Sequence, residues 1–229
     1  MPWPVYLALK QLFPSGRRLP FFTLISVLGV ALGVALMLVT MSVMGGFGHQ
    51  IKKMIIDTQG EVQVRARLLL DQPAAQEVEK VLAASSAVAA HAPYATGMVM
   101  LEYQSRPAFP AVQGFNYEQM KKVVPLGRYL TAGSLDNLDD DSVILSSLLA
   151  SSLGVKVGDS VSLYSPLALE REKQNDLLLP RDVLVAGIFH VGHQQLDSST
   201  VLCSLRLMQD LYGLEQRVHG YNVRLKPGA

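Results

Sequence analysis

Of the five histidines, His49, His91, His190, His193 and His219, only His190 and His193 lie close together, in "GIFHVGHQQLD". A strand over "DVLVAGIFHV" would turn two residues three apart to opposite faces, which suits a shared zinc ion poorly. Asp197 is the one acid in reach. Cys203 is the only cysteine, so neither an intrachain disulfide nor a cysteine-based metal cluster is available. Within the apolar run "TVLCSL" it reads as a small buried hydrophobe. "NLDDDS" places Asp139, Asp140 and Asp141 in a row, without the alternating oxygen ligands of a calcium loop, and suits a cap on the following element. "SSLLASS" offers hydroxyls but no G-x-S-x-G elbow. No G-x-x-x-x-G-K-[ST] motif is present to cradle nucleotide phosphates. These residue types at these spacings make no enzyme, no metal site and no cofactor site.

The elements that carry the residues are more informative. Lys and Arg number 20 against 19 Asp and Glu, with no basic block, so the charge gives no case for nucleic acid. Charged residues make up 17%, below the usual quarter, and the excess apolarity is concentrated in residues 1–48. From Phe21 to Met44, a run of 24 residues, no charged side chain occurs. As a helix that run covers ~36 Å against a hydrocarbon core of ~30 Å, so it predicts a transmembrane helix over 21–48. The run is longer than the apolar region of a signal peptide, and "MSVMGGFG" makes a poor cleavage site. Lys10, Arg17 and Arg18 on one flank face Lys52 and Lys53 on the other, an excess of one that leaves orientation open from charge alone.

Ser26, Gly29, Gly33 and Thr40 fall on one stripe of that helix by their 3, 4 and 7 spacing. The G-x-x-x-G pair within it admits close approach of another helix. Ahead of the span, residues 1–20 predict a short interfacial segment: "PVYLALKQLF" puts Val5, Leu9 and Leu12 on one face with Trp3 and Tyr6 nearby. "PSGRRLP" then breaks it. Residues 49–60 predict a helical stalk, through Ile51, Met54 and Ile55.

Residues 61–229 read as one domain in which strands alternate with short helices, an α/β (α+β) class. Strands are expected at "EVQVRARLLL", "GMVMLEY", "AFPAVQGF", "DSVILS", "DSVSLYS", "DVLVAGIFHV", "STVLCS" and "GYNVRL". Helices are expected at "QPAAQEVEKVLAAS" and near 117–123, 146–153 and 205–212. The stretch "SPLALEREKQNDLLLPRD" has a charged middle flanked by leucines and no clear period. A loop of that length is functional or mobile. With Pro166, Leu167, Leu169, Leu177, Leu178, Leu179 and Pro180 it reads either as a partner-binding hairpin at about 165–180 or as a mobile surface loop.

Four stretches in register resemble one family, the lipoprotein-releasing permeases of the LolC/LolE type within the MacB/FtsX-like group. They are "LISVLGVALGVALMLVTMSVMGGFG", "VQGFNYEQMKKVVPLGRYLTAGSLDNL", "SSLLASSLGVKVGDSVSLYSP" and "LVAGIFHVGHQQLDSSTVLCSLRLMQDLYGL". The third also resembles other MacB-like and FtsX-like permeases. The resemblance implies an N-inside first helix in the bacterial inner membrane and a periplasmic MacB-like core domain. It implies work beside a cytoplasmic ABC ATPase, which would hold the ATP and Mg, and beside a second permease subunit, identical or paralogous. Lipoprotein cargo would pass from membrane lipid to a periplasmic lipoprotein carrier, gripped by the hairpin. Val43, Met44, Phe47 and Ile51 lie where acyl-chain contacts are expected. The alternative is a MacB/FtsX-like module that transmits ATPase-driven shape changes and moves no lipid. Gly45 stands where the family often has asparagine, and Gly48 and His49 where it has a charged pair. The expected second helix would begin just after "VRLKPGA", so the chain reads as the N-terminal portion of a longer permease.

Overall fold

A helix that has no charged residue for six turns needs no polar partner face, and in α2 (Phe21–Gln59) the described residues of that run are exposed. Its most apolar stretch, Leu24–Gly48, is long and apolar enough to cross a membrane and is wholly unburied by the rest of the molecule. The computed structural model describes residues 3–12, 21–165 and 180–226. These form two compact units, Met1–Lys53 and Met54–Ala229. The first holds α1 (Trp3–Leu12) and most of α2. Helix α2 runs unbroken through Gly45, Gly46 and Gly48 and stops at Gly60, whose φ of +87° only glycine adopts easily. There the Gly60 N–H still reaches Ile56 O at 3.0 Å.

The second unit is built on an 11-stranded sheet, β1 (Val62–Leu70), β2 (Val88–Met98), β3 (Met100–Tyr103), β4 (Arg106–Ala108), β5 (Ala111–Phe115), β6 (Leu130–Gly133), β7 (Ser142–Ser146), β8 (Ser160–Tyr164), β9 (Arg181–Phe189), β10 (Thr200–Ser204) and β11 (Val218–Leu225). The order is β1-β11-β2-β5-β10-β7-β9-β8-β3-β4, with β6 against β9. Two pairs, β10 with β5 and β7 with β9, are parallel, and the rest are antiparallel. This is the α+β form of the expected class. The strands β2 and β3 are one extended segment interrupted at Val99, whose N–H donates to Pro110 O at 3.1 Å. Against it run β5 and β4 in an unshifted register, Met98 with Ala111 and Leu101 with Ala108. Because β2 lies near one end of the order and β3 near the other, this long hairpin joins them. The pairings β5-β10-β7-β9-β8-β3 therefore close through Val99 into a circuit.

Both faces of the sheet are covered, so central strands read as continuous apolar runs. On one face Val143, Leu145, Val201, Cys203 and Val185 form the main core; on the other Ile144, Leu202, Phe115 and Phe189 form a second. The helices are α3 (Gln72–Ala84), α4 (Tyr117–Val123), α5 (Ser147–Leu153), α6 (Gln194–Ser199) and α7 (Leu205–Tyr212). Asp71 caps α3 by accepting from Ala74 N, with Pro73 in its first turn. Helix α7 packs closely on β5 because Gly114 leaves room for Met208; a Cβ there would collide with that side chain.

Besides adding the short β6 and α6, the structure departs from the sequence expectation in three places. Strand β2 begins at Val88, nine residues before the expected start in "GMVMLEY", because Ala90 and Ala92 pair with Arg224 and Asn222 of β11, and this tertiary pairing overrides weak strand propensity. "AFPAVQGF" is split into β4 and β5 at Phe109–Pro110, since Pro110 has no N–H to donate. Strand β9 ends at Phe189, so His190 and His193 occupy a loop rather than strand faces.

Candidate functional site

The face predicted for helix packing lies on α2. Ser26, Gly29, Gly33 and Thr40 are all exposed, and beyond the helix's own backbone nothing among the described residues comes within 4 Å of where a Cβ on Gly29 or Gly33 would lie. The Thr40 hydroxyl donates to Leu36 O at 2.8 Å, so its hydrogen-bonding need is met within the helix. One turn further along, Val43, Met44 and Phe47 are exposed large hydrophobics on one side of the helix. Ile51 continues their spacing on the backbone of α2, and its side chain lies outside the described residues.

The predicted hairpin connects two strands that do pair: β8 and β9 are antiparallel, with Leu163 opposite Arg181. Pro166, Leu167, Leu169, Leu177, Leu178 and Leu179 lie outside the described residues, and Pro180 is a half-buried residue just before β9. The root is tied down by side chains that composition did not single out. Arg181 donates to Asp141 Oδ1 at 3.0 Å, to Asp140 O at 3.1 Å and to Asp210 Oδ2 on α7 at 3.2 Å. Burial works against its charge, and the two carboxylates outweigh that and raise its pKa. Ser162 donates to Asp182 at 2.6 Å. Within the row "DDD", Asp141 thus partners Arg181, Asp140 partners Arg206 and Ser204, and Asp139 accepts from Asp141 N. Across β8 from the root, Tyr164 pairs with Met100 on β3, and Met98 and Phe109 nearby are 62% and 63% exposed. An isolated exposed residue carries no signal in a sequence; only the register brings these together.

The loop after β9 gathers Ser147, His190 and Asp197. The Ser147 hydroxyl is 2.9 Å from His190 Nδ1, and Asp197 Oδ2 is 3.2 Å from the same nitrogen. A relay through an imidazole needs the hydroxyl on one ring nitrogen and the carboxylate on the other. Both groups share Nδ1 here, so the cluster does not activate a nucleophile. Asp197, 1% exposed, instead accepts from the backbone N–H groups of Val191 and Gly192, each at 2.8 Å. Those two bonds tie Asp197 back to the turn at Gly192, five residues earlier. Gly192 sits at φ +85°, where a side chain is strained. His193 Nδ1 is buried without a partner among the described residues. No group of three metal-ligating side chains occurs among the described residues. Cys203 is fully buried and its thiol is pushed up to about 12 by desolvation, so it is inert near neutral pH.

The chain matches the MacB-like periplasmic core domain over residues 23–229. The chain belongs to that family. The MacB-like chain is 29% identical over 223 residues to the lipoprotein-releasing system transmembrane protein LolC of Xylella fastidiosa strain Temecula1, covering 93% of this chain and 52% of LolC. It is 25% identical over 226 residues to LolC of Neisseria meningitidis serogroup B, covering 96% and 54%. With LolE of Haemophilus influenzae it shares 25% over 142 residues, covering 60% and 34%. The chain therefore spans about half the length of the LolC relatives it matches. Its fold is similar to the extracellular domain of the noncanonic ABC-type transporter YknZ from Gram-positive bacteria, with a TM-score of 0.50 at 14% identity, covering 71% of this chain and 76% of that one. The LolC/LolE resemblance read from the four sequence stretches is thus supported along almost the whole MacB-like chain.

Proposed function

We propose that this MacB-like chain is the N-terminal part of an ABC transporter permease subunit that extracts lipoproteins from the inner membrane and passes them to a periplasmic carrier. The observation that carries the reading is the similarity to LolC, a lipoprotein-releasing system protein, through both the apolar helix and the folded domain. A separate ATPase supplies the energy. In this reading Ser26, Gly29, Gly33 and Thr40 pack against a second permease subunit, because small residues let backbones approach in lipid. Val43, Met44, Phe47 and Ile51, at the exit of the span, contact the acyl chains. The 165–180 hairpin, with Leu167, Leu169 and Leu177–Leu179 between Pro166 and Pro180, grips the carrier. The pairing of β8 with β9 and the anchoring of Arg181 support a rigid base for it.

The test is co-purification of the full-length parent in mild detergent with an ATPase and a bound lipoprotein. Replacing Leu177, Leu178 and Leu179 together by Ser is expected to abolish carrier binding while the ATPase stays attached. Carrier binding at the original level would sink the hairpin assignment.

A second reading has its own observation. Helix α2 is continuous from Phe21 to Gln59, passing three glycines without a break. A stiff rod of this kind suits transmission of shape changes from a cytoplasmic ATPase with no lipid moved. A complex that keeps its ATPase and carrier but never holds lipoprotein would favour this reading over the first.

A further inference from the structure

The second core is not sealed. Between strands β5, β10, β7 and β9 and the segment 124–138 runs a crevice of about 510 Å³, counting its open mouth. Its outer wall is slight, two single turns, Leu126–Tyr129 and Leu135–Asn137, with the four-residue β6 between them. The bottom is formed by buried Ile144, Phe189 and Leu202. The rim is partly exposed, with Leu126 and Leu130 on one side and Gln113 and Thr200 on the other. No acidic or basic side chain lines it. The room inside is narrow: about 40 Å³ takes a water-sized group, well below the ~150 Å³ that holds a benzene ring.

Gln113 is the odd residue of this face. It lies between Leu202 of β10 and Thr96 of β2, and its side-chain amide takes part in no hydrogen bond among the described residues. From the rim the register leads outward along an apolar path. Thr200 pairs with Ala111 and Ala111 with Met98, both exposed, Met98 at 62%.

We propose that this crevice binds one uncharged acyl chain, its methyl end against Ile144, Phe189 and Leu202 and its carbonyl at the rim beside Gln113. Three arguments favour that occupant. A lining without acid or base complements a ligand that carries no charge there, since an ion would be desolvated without a partner. A space narrower than a ring and open at one end admits an unbranched chain of methylene groups. An amide N–H left unpaired on an apolar face suits a carbonyl oxygen, and a mostly apolar pocket with few polar groups is the usual form of a small-molecule site. The inference goes beyond the transport role, because it gives the folded domain a lipid site on residues outside α2.

The chain is reconstituted into phosphatidylcholine vesicles and given monodecanoylglycerol that carries a photoreactive diazirine at its chain end. A parallel preparation receives a diacylated cysteinyl peptide with the same diazirine. After illumination, labelled peptides are mapped by mass spectrometry. The expected result is label on Leu126–Tyr129 and Thr200–Ser204 that saturates with dose. Label confined to α2 with both probes would overturn the inference. Label in the crevice from the cysteinyl peptide supports the site and names acylated protein as a source of the chain. Label there from the glyceride alone supports the site and assigns the chain to free lipid. Ile144→Trp, which fills the bottom, is expected to cut crevice labelling severalfold. If that variant does not fold, Leu130→Glu at the partly exposed rim decides, with the same severalfold loss expected. Labelling at the natural level in either folded variant would overturn the assignment.

Discussion

His219 shows how one ring is held in one charge state. Its Nδ1 accepts the Thr96 N–H at 3.3 Å, which requires that nitrogen to be unprotonated. Burial, and then the charge of Arg65, lower its pKa below the ordinary imidazole value. An unfolded chain takes up that proton near pH ~6.5. Protons therefore bind the unfolded state preferentially, and stability is complete above about pH 6.5 and falls as pH drops toward the folded pKa. Urea midpoints measured between about pH 8 and pH 5 should decline for the natural chain and decline less for His219→Gln, whose amide oxygen can still accept. Equal slopes in the two proteins would show that this ring contributes nothing to the pH dependence. Residue-level chemistry was partly legible beforehand. Burial of Cys203 followed from its apolar neighbours, but the duty of Asp197 did not, because its partners are backbone N–H groups that no side-chain pattern records.

At the scale of elements, the turn joining β3 to β4 is unusual. Gln104 and Ser105 are its two central residues, at φ of 49° and 63°. A two-residue hairpin of this hand demands positive φ at both positions and favours Asn-Gly. Each left-handed side-chain residue costs about 1 kcal/mol. Gln104→Asn with Ser105→Gly is therefore expected to stabilise the domain by about 1 kcal/mol, read as a higher urea midpoint with an unchanged slope. A lower midpoint would mean that these side chains make contacts worth more than the strain. The same turn explains a gap in the sequence reading: "YQSR" carries no glycine or asparagine, so the hairpin linking β2–β3 to β4–β5 has no local signal. Strands with strong alternation or apolar runs, such as β7 and β10, were legible because both faces are buried. Short β6 and α6 were not, since four to six residues of mixed polarity show no period.

For the molecule as a whole, α2 presents an exposed, uncharged and largely apolar stretch over Leu24–Gly48, with a smooth patch at Gly29 and Gly33. Replacing both by Leu keeps the span apolar, so insertion should persist. The proposed association with a second permease subunit should weaken by about tenfold or more, because the leucines hold the two backbones apart. Unchanged co-purification of differently tagged subunits would show that the stripe faces lipid.

The circuit of strands closed through Val99 sets which amides can exchange with solvent independently. β1 pairs only with β11, outside the circuit, and can open while every other pairing stays intact. β7 and β10 lie between neighbours on both sides within the circuit, and parting one ladder leaves the ring held by the rest. Deuterium uptake should therefore be graded across a single sheet, fast in β1 through local opening and slow in β7 and β10, where exchange waits for the whole domain to unfold.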